Sequence, residues 1–186
     1  MKKYLILYYS KTGNSKFIAE KLSDELLCTS KRIIPVIDNL LVLFLLSVMK
    51  ISIPTNISRK EMQDFNEIII VGPVWGGLLI SPLRNTLKKC IKASKNIYFA
   101  VTCETKDEDR DDKYGYAKVL GEAERLSGYS IKATQAFSTA LVNKNNKAWS
   151  PKLSEKIKIT EENFNEIMKS KLNDFVTKIK SLQKNN

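Results

Sequence analysis

Five apolar runs of strand length, at 4–9, 33–37, 67–71, 96–102 and 131–137, recur along the chain, and helix-length stretches with 3.6-residue apolar spacing separate them. Several of the runs are apolar at nearly every position, which a strand needs when both faces of its sheet are covered. Strand alternating with helix leads to right-handed crossovers and parallel strands. The expected fold is α/β, a three-layer α/β/α sandwich around a five-stranded parallel sheet. In such sheets ligands bind beyond the carboxyl ends of the strands, so the loops that follow strands one, three and four should converge on one rim.

The helical stretches carry their own punctuation. Ile18, Ala19, Leu22 and Leu26 share one face. Ser81 and Pro82 read as an N-cap and first-turn proline ahead of Leu83, Leu87 and Ile91, and Ala117, Leu120 and Ala123 run to Gly128 as a stop. The last helix has the clearest stripe, of Phe164, Ile167, Met168, Leu172, Phe175, Val176, Ile179 and Leu182. Thr160 is its expected cap, with Glu161 and Glu162 in the first turn.

At 186 residues the chain can bury a full core, and residues 1–186 read as a single domain. Cys28, Cys90 and Cys103 show no CxxC spacing and are too few for a disulfide framework, so a reducing compartment and a cytoplasmic location are expected. The absence of histidine removes Ser-His and Cys-His pairs and the commonest zinc ligand, and no metal site is assigned. The first nine residues are too short for a secretory leader and read as the first strand. The most apolar stretch, 40–49, would rise about 15 Å as a helix, half of a bilayer core. It is expected to pack over the sheet as the second crossover helix; the alternative is an exposed patch for dimerisation or peripheral membrane contact.

Two loops carry the chemistry. Ser10-Lys11-Thr12-Gly13-Asn14-Ser15 joins the first strand to the first helix and can bring three hydroxyls and several free backbone N–H groups to one point, as a phosphate cradle. The same residues could form an ordinary turn with Asn14 or Ser15 as N-cap. Gly72-Pro73-Val74-Trp75-Gly76-Gly77 leaves the third strand with a large ring beside paired glycines. It could present a flat π face to a planar ligand, or use Trp75 only to close the core.

Together, Ser-x-Thr-Gly-Asn-Ser after strand one and Pro-Val-Trp-Gly-Gly after strand three resemble the flavodoxin family. The first motif matches that family's phosphate loop, Ser/Thr-x-Thr-Gly-x-Ser/Thr, at every fixed position. The resemblance implies the sheet order 2-1-3-4-5 and bound flavin mononucleotide (FMN). By this similarity Ser10, Lys11, Thr12, Gly13, Asn14 and Ser15 hold the phosphate, and Pro73, Val74, Trp75, Gly76 and Gly77 line the isoalloxazine ring. Thr102, Cys103 and Glu104 stand where the family closes over the pyrimidine side, but the glycines and aromatic often found there are missing. Tyr114 or Tyr116 could stack on the flavin or begin the next helix, and Cys103 could touch the flavin or be a small buried hydrophobe.

Charge departs from the family pattern. Between Glu104 and Lys113 six carboxylates stand against Lys106, Arg110 and Lys113; beside a flavin they would lower its potential, and as a solvated turn they would be screened over about 8 Å. The whole chain is +11, whereas family electron carriers are usually acidic. The excess suits an acidic protein partner or an anionic membrane surface, or else lysine-rich solvated faces, with no clustering into a nucleic-acid arm. The reading is an FMN-binding, flavodoxin-like electron-transfer protein working between redox partner proteins; the flavin carries the chemistry, and no catalytic residue is assigned. One alternative is an FMN-dependent NAD(P)H:quinone or small-acceptor reductase, which needs an open site over the flavin. The other is a flavin-free interaction protein that retains the fold.

Overall fold

Strands β1 (Lys2–Tyr8), β2 (Thr29–Arg32), β3 (Phe65–Pro73), β4 (Asn96–Cys103) and β5 (Ile131–Ser138) lie all parallel in the order β2-β1-β3-β4-β5, in a computed structural model that describes residues 2–143 and 156–182. This is the sheet the sequence pattern and the resemblance imply. Helices α1 (Asn14–Leu26), α2 (Leu40–Val48), α3 (Arg59–Met62), α4 (Ser81–Lys92), α5 (Tyr116–Leu126) and α6 (Glu166–Ser181) complete the sandwich.

The near-continuous apolar strands feed two cores. Leu5, Leu7, Ile68, Ile70, Ile97, Phe99 and Val101 point to the side covered by α4 and α5. Their neighbours Tyr4, Ile6, Ile69, Val71, Tyr98 and Ala100 point to the side covered by α1 and α6. Side chains alternate along a strand, so a strand buried on both faces must be apolar at both parities. The registers Tyr8 with Val71, Pro73 with Thr102 and Cys103 with Ser138 bring the strand ends, and the loops after them, to one rim.

Four local expectations are corrected. The second strand is Thr29–Arg32, not 33–37. Only Leu27 and Cys28 separate it from α1, so the chain enters the sheet at once, and as an edge strand it needs no apolar face. The last rung is the Ile33 N–H on the Tyr8 carbonyl; Pro35 beyond it has no N–H to give, and the run continues past the rim with Ile34, Val36 and Ile37 exposed. At α4 the N-cap is Ile80, and Ser81 is the first helical residue. Its N–H donates to Ser47 Oγ (2.9 Å) and its hydroxyl donates to the Ile51 carbonyl (2.7 Å). At α6 the cap is Asn165, not Thr160, because the Asn165 amide reaches two partners: its Oδ1 accepts from Met168 N–H and its Nδ2 donates to the Leu141 carbonyl. Thr160 closes a separate turn whose carbonyl accepts from Asn163 and Phe164.

The fourth correction is α2. It buries Leu43 and Ser47, packs Leu46 part-buried against the core and lies against α4, while most of its remaining side chains are exposed. Among the described residues no helix is long and apolar enough to cross a membrane.

The segment before α6 is drawn back onto the start of α1 by one side chain. Asn14 Nδ2 donates to the Ile157 carbonyl and Asn14 Oδ1 accepts the Ile159 N–H, both at 2.9 Å. Asn14→Ala removes both bonds and leaves the buried Ile159 N–H without this partner. A loss of about 1–3 kcal/mol of stability is expected, read as a lower urea midpoint with an unchanged slope.

Candidate functional site

The loop between β1 and α1 leaves the helix end open. Gly13 is the N-cap in a left-handed conformation (φ 99°), with its N–H on Ser10 Oγ at 3.1 Å, and no side chain caps the helix. The first helical rung is Phe17 N–H to the Gly13 carbonyl. The N–H groups of Asn14, Ser15 and Lys16 therefore precede the ladder and carry the positive end of the helix dipole. A Cβ at Gly13 would meet nothing within 4 Å, so the backbone angle, not crowding, selects glycine here.

Both residues that could have capped α1 have other partners. Asn14 holds 157 and 159, and Ser15 Oγ shares a hydrogen with Thr102 Oγ1 across 2.7 Å, tying the first loop to the end of β4. Lys11 turns away along the rim: its ammonium bonds the Asp38 carboxylate (2.7 Å) and the Asp38 carbonyl (3.0 Å). Thr12 is half-buried, the one of the three hydroxyl residues that is not buried, and it lines the rim groove.

The loop after β3 begins with Val74 N–H on the Thr102 carbonyl (2.9 Å) and turns back at Trp75–Leu78. Gly76 (φ 57°) and Gly77 (φ 73°) form its centre, the sign of φ that a type I′ turn requires at both positions. Trp75 meets Tyr9 edge to face, ring centres 5.9 Å apart, and the Tyr9 hydroxyl donates to Asp38 Oδ1 at 3.0 Å. Trp75, Tyr9, Asp38 and Lys11 thus form one chain linking the two loops. Burial and the Asp38 bond push the Tyr9 phenol far above its ordinary value, which keeps it a donor.

The acidic loop after β4 is anchored from outside. Glu104 pairs with Lys156 (2.9 Å), and Asp107 pairs with Lys171 of α6 (2.7 Å) while accepting from the Tyr116 hydroxyl (2.8 Å). Burial alone would raise the Asp107 carboxyl, but these two bonds hold it below the ordinary aspartate value. Tyr116 is the buried first residue of α5; Tyr114 is exposed and borders the groove. Of the two tyrosines left open by the sequence, Tyr114 is the one on the rim. Cys103 is buried, and burial pushes its thiol up to about 12, so it is a thiol and not a thiolate at neutral pH.

These loops enclose a groove of about 1140 Å³. One end is polar, with Thr12, Asn14, Thr102, Glu104, Thr139 and Lys156; the other is apolar, with Leu40, Leu41, Phe44, Trp75 and Tyr114. Pro73, Val74, Gly76 and Cys103 also line it, whereas Ser10, Lys11, Gly13, Ser15 and Gly77 are not among its lining residues. Sequence reasoning missed Asn39, Thr105, Thr139 and Lys156, and it gave 40–44 no place in the site. Thr139 directly follows β5, so the rule for strand ends could have found it. Lys156 and Asn39 carry no sequence signal.

No protein-family model matches the sequence, and no curated protein matches it either. Solved structures do match in three dimensions. A flavoprotein from Lactobacillus acidophilus, crystallised in complex with FMN, is 19% identical with a TM-score of 0.57 over 79% of this chain and 100% of its own. A flavodoxin from Streptococcus pneumoniae is 12% identical (TM-score 0.53, 96% and 97% covered), as is flavodoxin 1 from Bacillus cereus (0.53, 96% and 98%). The fold is flavodoxin-like.

Gly77 holds the loop after β3 under the end of the loop after β4. A Cβ there would stand 2.7 Å from the Lys113 carbonyl oxygen and 3.1 Å from Tyr114 Cα, whereas a Cβ at Gly76 has 3.8 Å to its nearest neighbour, Phe44. Gly77→Ala is expected to cost about 1–3 kcal/mol, and Gly76→Ala nearer 1 kcal/mol for the left-handed angle alone. Urea midpoints of the two variants measured side by side check the order.

Proposed function

We propose that the protein binds FMN in the rim groove and serves electron transfer between redox partner proteins. The observation that carries this reading is the uncapped N-terminus of α1, opening on a groove whose other end is lined by Trp75. The buried Thr139 Oγ1, which lines the polar end and has no hydrogen-bond partner among the described residues, supports it, since a ribityl or phosphate oxygen would satisfy it. That a protein of the same fold from Lactobacillus acidophilus holds FMN adds support.

On this reading the residues divide by what they offer. Ser10 and Gly13 shape the cradle, the N–H groups of Asn14 and Ser15 and the Thr12 hydroxyl bind the phosphate, and Lys11 contributes backbone and nearby charge rather than a direct contact. Pro73, Val74, Trp75, Gly76 and Gly77 flank the ring on one side, with Thr102, Cys103, Glu104 and Tyr114 across from them. The left-handed glycines give the 75–78 turn a backbone that can reorient at low cost toward a ring atom. Bound FMN would supply the electron-carrying ring; the chain binds it, orients it and sets the charge around it.

Titration with FMN and with the adenine dinucleotide, followed by flavin fluorescence, tests the cradle. FMN should bind more tightly, and Thr12→Ala should weaken it by about 1.5–3 kcal/mol, the range for hydrogen bonds to charged groups. Trp75 emission should fall on binding in a Trp149→Phe background, Trp149 lying outside the described residues. A protein that takes up no flavin is the flavin-free interaction protein instead.

One observation favours the second reading, a reductase of quinones or other small acceptors. The groove exceeds the usual size of a single-ligand pocket, about 300–1,000 Å³, and its far wall is hydrocarbon. For a carrier, photoreduction should proceed in two resolved one-electron stages with slow NAD(P)H consumption. Rapid NAD(P)H turnover with an added quinone selects the reductase.

A further inference from the structure

Helix α2 exposes hydrocarbon to water and almost nothing else. Leu41 is 67% exposed, Leu45 53%, Val48 51% and Met49 67%, and Val36 and Ile37 extend the patch before the helix. Ser47, the one polar side chain in α2, is turned inward: it donates to the Leu43 carbonyl and accepts the Ser81 N–H. Apolar surface of this extent marks an interaction face.

Within the segment that carries the patch the charges have one sign left over. From Leu27 to Lys60 the only acidic residue is Asp38, and it is paired with Lys11. Arg32 and Lys50 flank the apolar run at its two ends, both exposed. Glu122, the carboxylate that Lys50 approaches at 4.0 Å, is already bonded to Arg84 at 2.7 Å.

We propose that α2 and the segment before it dock the protein on an anionic lipid surface, with the helix lying in the headgroup plane and its leucines in the acyl region. A short helix with an aliphatic outer face and a cationic border suits that environment. A protein partner fits less well: the exposed side chains of α2 are aliphatic apart from Phe44, without the tryptophan and tyrosine anchors typical of such interfaces. A second copy of the chain would bring two basic borders together on a protein of net charge +11. Leu40, Leu41 and Phe44 belong to both the patch and the groove wall, so docking would bring the groove mouth to the lipid surface. The inference rests on the exposure and charge of this face and not on what the groove binds.

Cosedimentation of the full chain with vesicles of phosphatidylcholine alone, and of phosphatidylcholine mixed with phosphatidylglycerol, tests it. Binding is expected to the mixed vesicles and to be roughly tenfold weaker to the neutral ones. The double variant Leu45→Gln, Met49→Gln should lose roughly tenfold in binding to the mixed vesicles. Both positions are exposed and outside the groove, so melting temperature and FMN titration should match the parent. Equal binding of parent and variant would assign the effect to charge alone and overturn the proposal, as would no binding by the parent to either vesicle. A parent dimer in sedimentation velocity that the double variant abolishes would give the face to a second copy instead.

Discussion

An α-helix begins with N–H groups that have no partner within it, and the first turn of α1 is where the rest of the rim takes its orientation. A side-chain cap would have neutralised that end. Instead Gly13 turns the chain with a left-handed angle, and the two residues suited to capping are held elsewhere, Asn14 by the backbone of 157–159 and Ser15 by Thr102. Those bonds do two things at once. They leave the dipole of α1 facing the groove, and they fasten α1 to both the end of β4 and the segment that leads into α6.

The same economy of contacts fixes the loop after β3. Its tryptophan is oriented by Tyr9, which is oriented by Asp38, which also takes the ammonium of Lys11. Gly77 lies beneath the backbone of Lys113 and Tyr114, an approach that a side chain there would block. The polar and apolar ends of the groove are therefore positioned by neighbouring strands of one sheet, and the parallel register that aligns the strand ends is what makes their loops meet.

The field at the groove is milder than the run of carboxylates between Glu104 and Asp112 suggests. Lys156 and Lys171 come from distant parts of the chain to Glu104 and Asp107, and Arg110 pairs with Asp111. Glu104 is the carboxylate of that loop that borders the groove, and it arrives there neutralised. A strong lowering of a bound flavin's potential by this loop loses its main source, since the remaining carboxylates face solvent, where their reach is screened.

What the sequence determined by itself is what depends on near neighbours. Strands apolar at both parities specified a sheet covered on both sides, and the periodicity of α1, α4, α5 and α6 specified the faces that cover it, because both signals follow from side-chain geometry over a few residues. The placing of the two glycine-bearing loops after β1 and β3 was legible for the same reason. The tertiary structure decided the rest. It set β2 on Thr29–Arg32 rather than on the more apolar residues that follow, since the length of the connection from α1 and the end of β1 outweighed propensity. It gave the α6 cap to Asn165, which could satisfy Leu141 as well, and it brought Asn39 and Lys156 into a groove to which no local pattern assigned them. It also left α2 open to solvent: a helix apolar on every side reads as buried, but the core beside α4 took in Leu43, the inward hydroxyl of Ser47 and part of Leu46. Contacts between residues far apart in the chain are set by the packing of whole elements, and a local pattern holds no record of them.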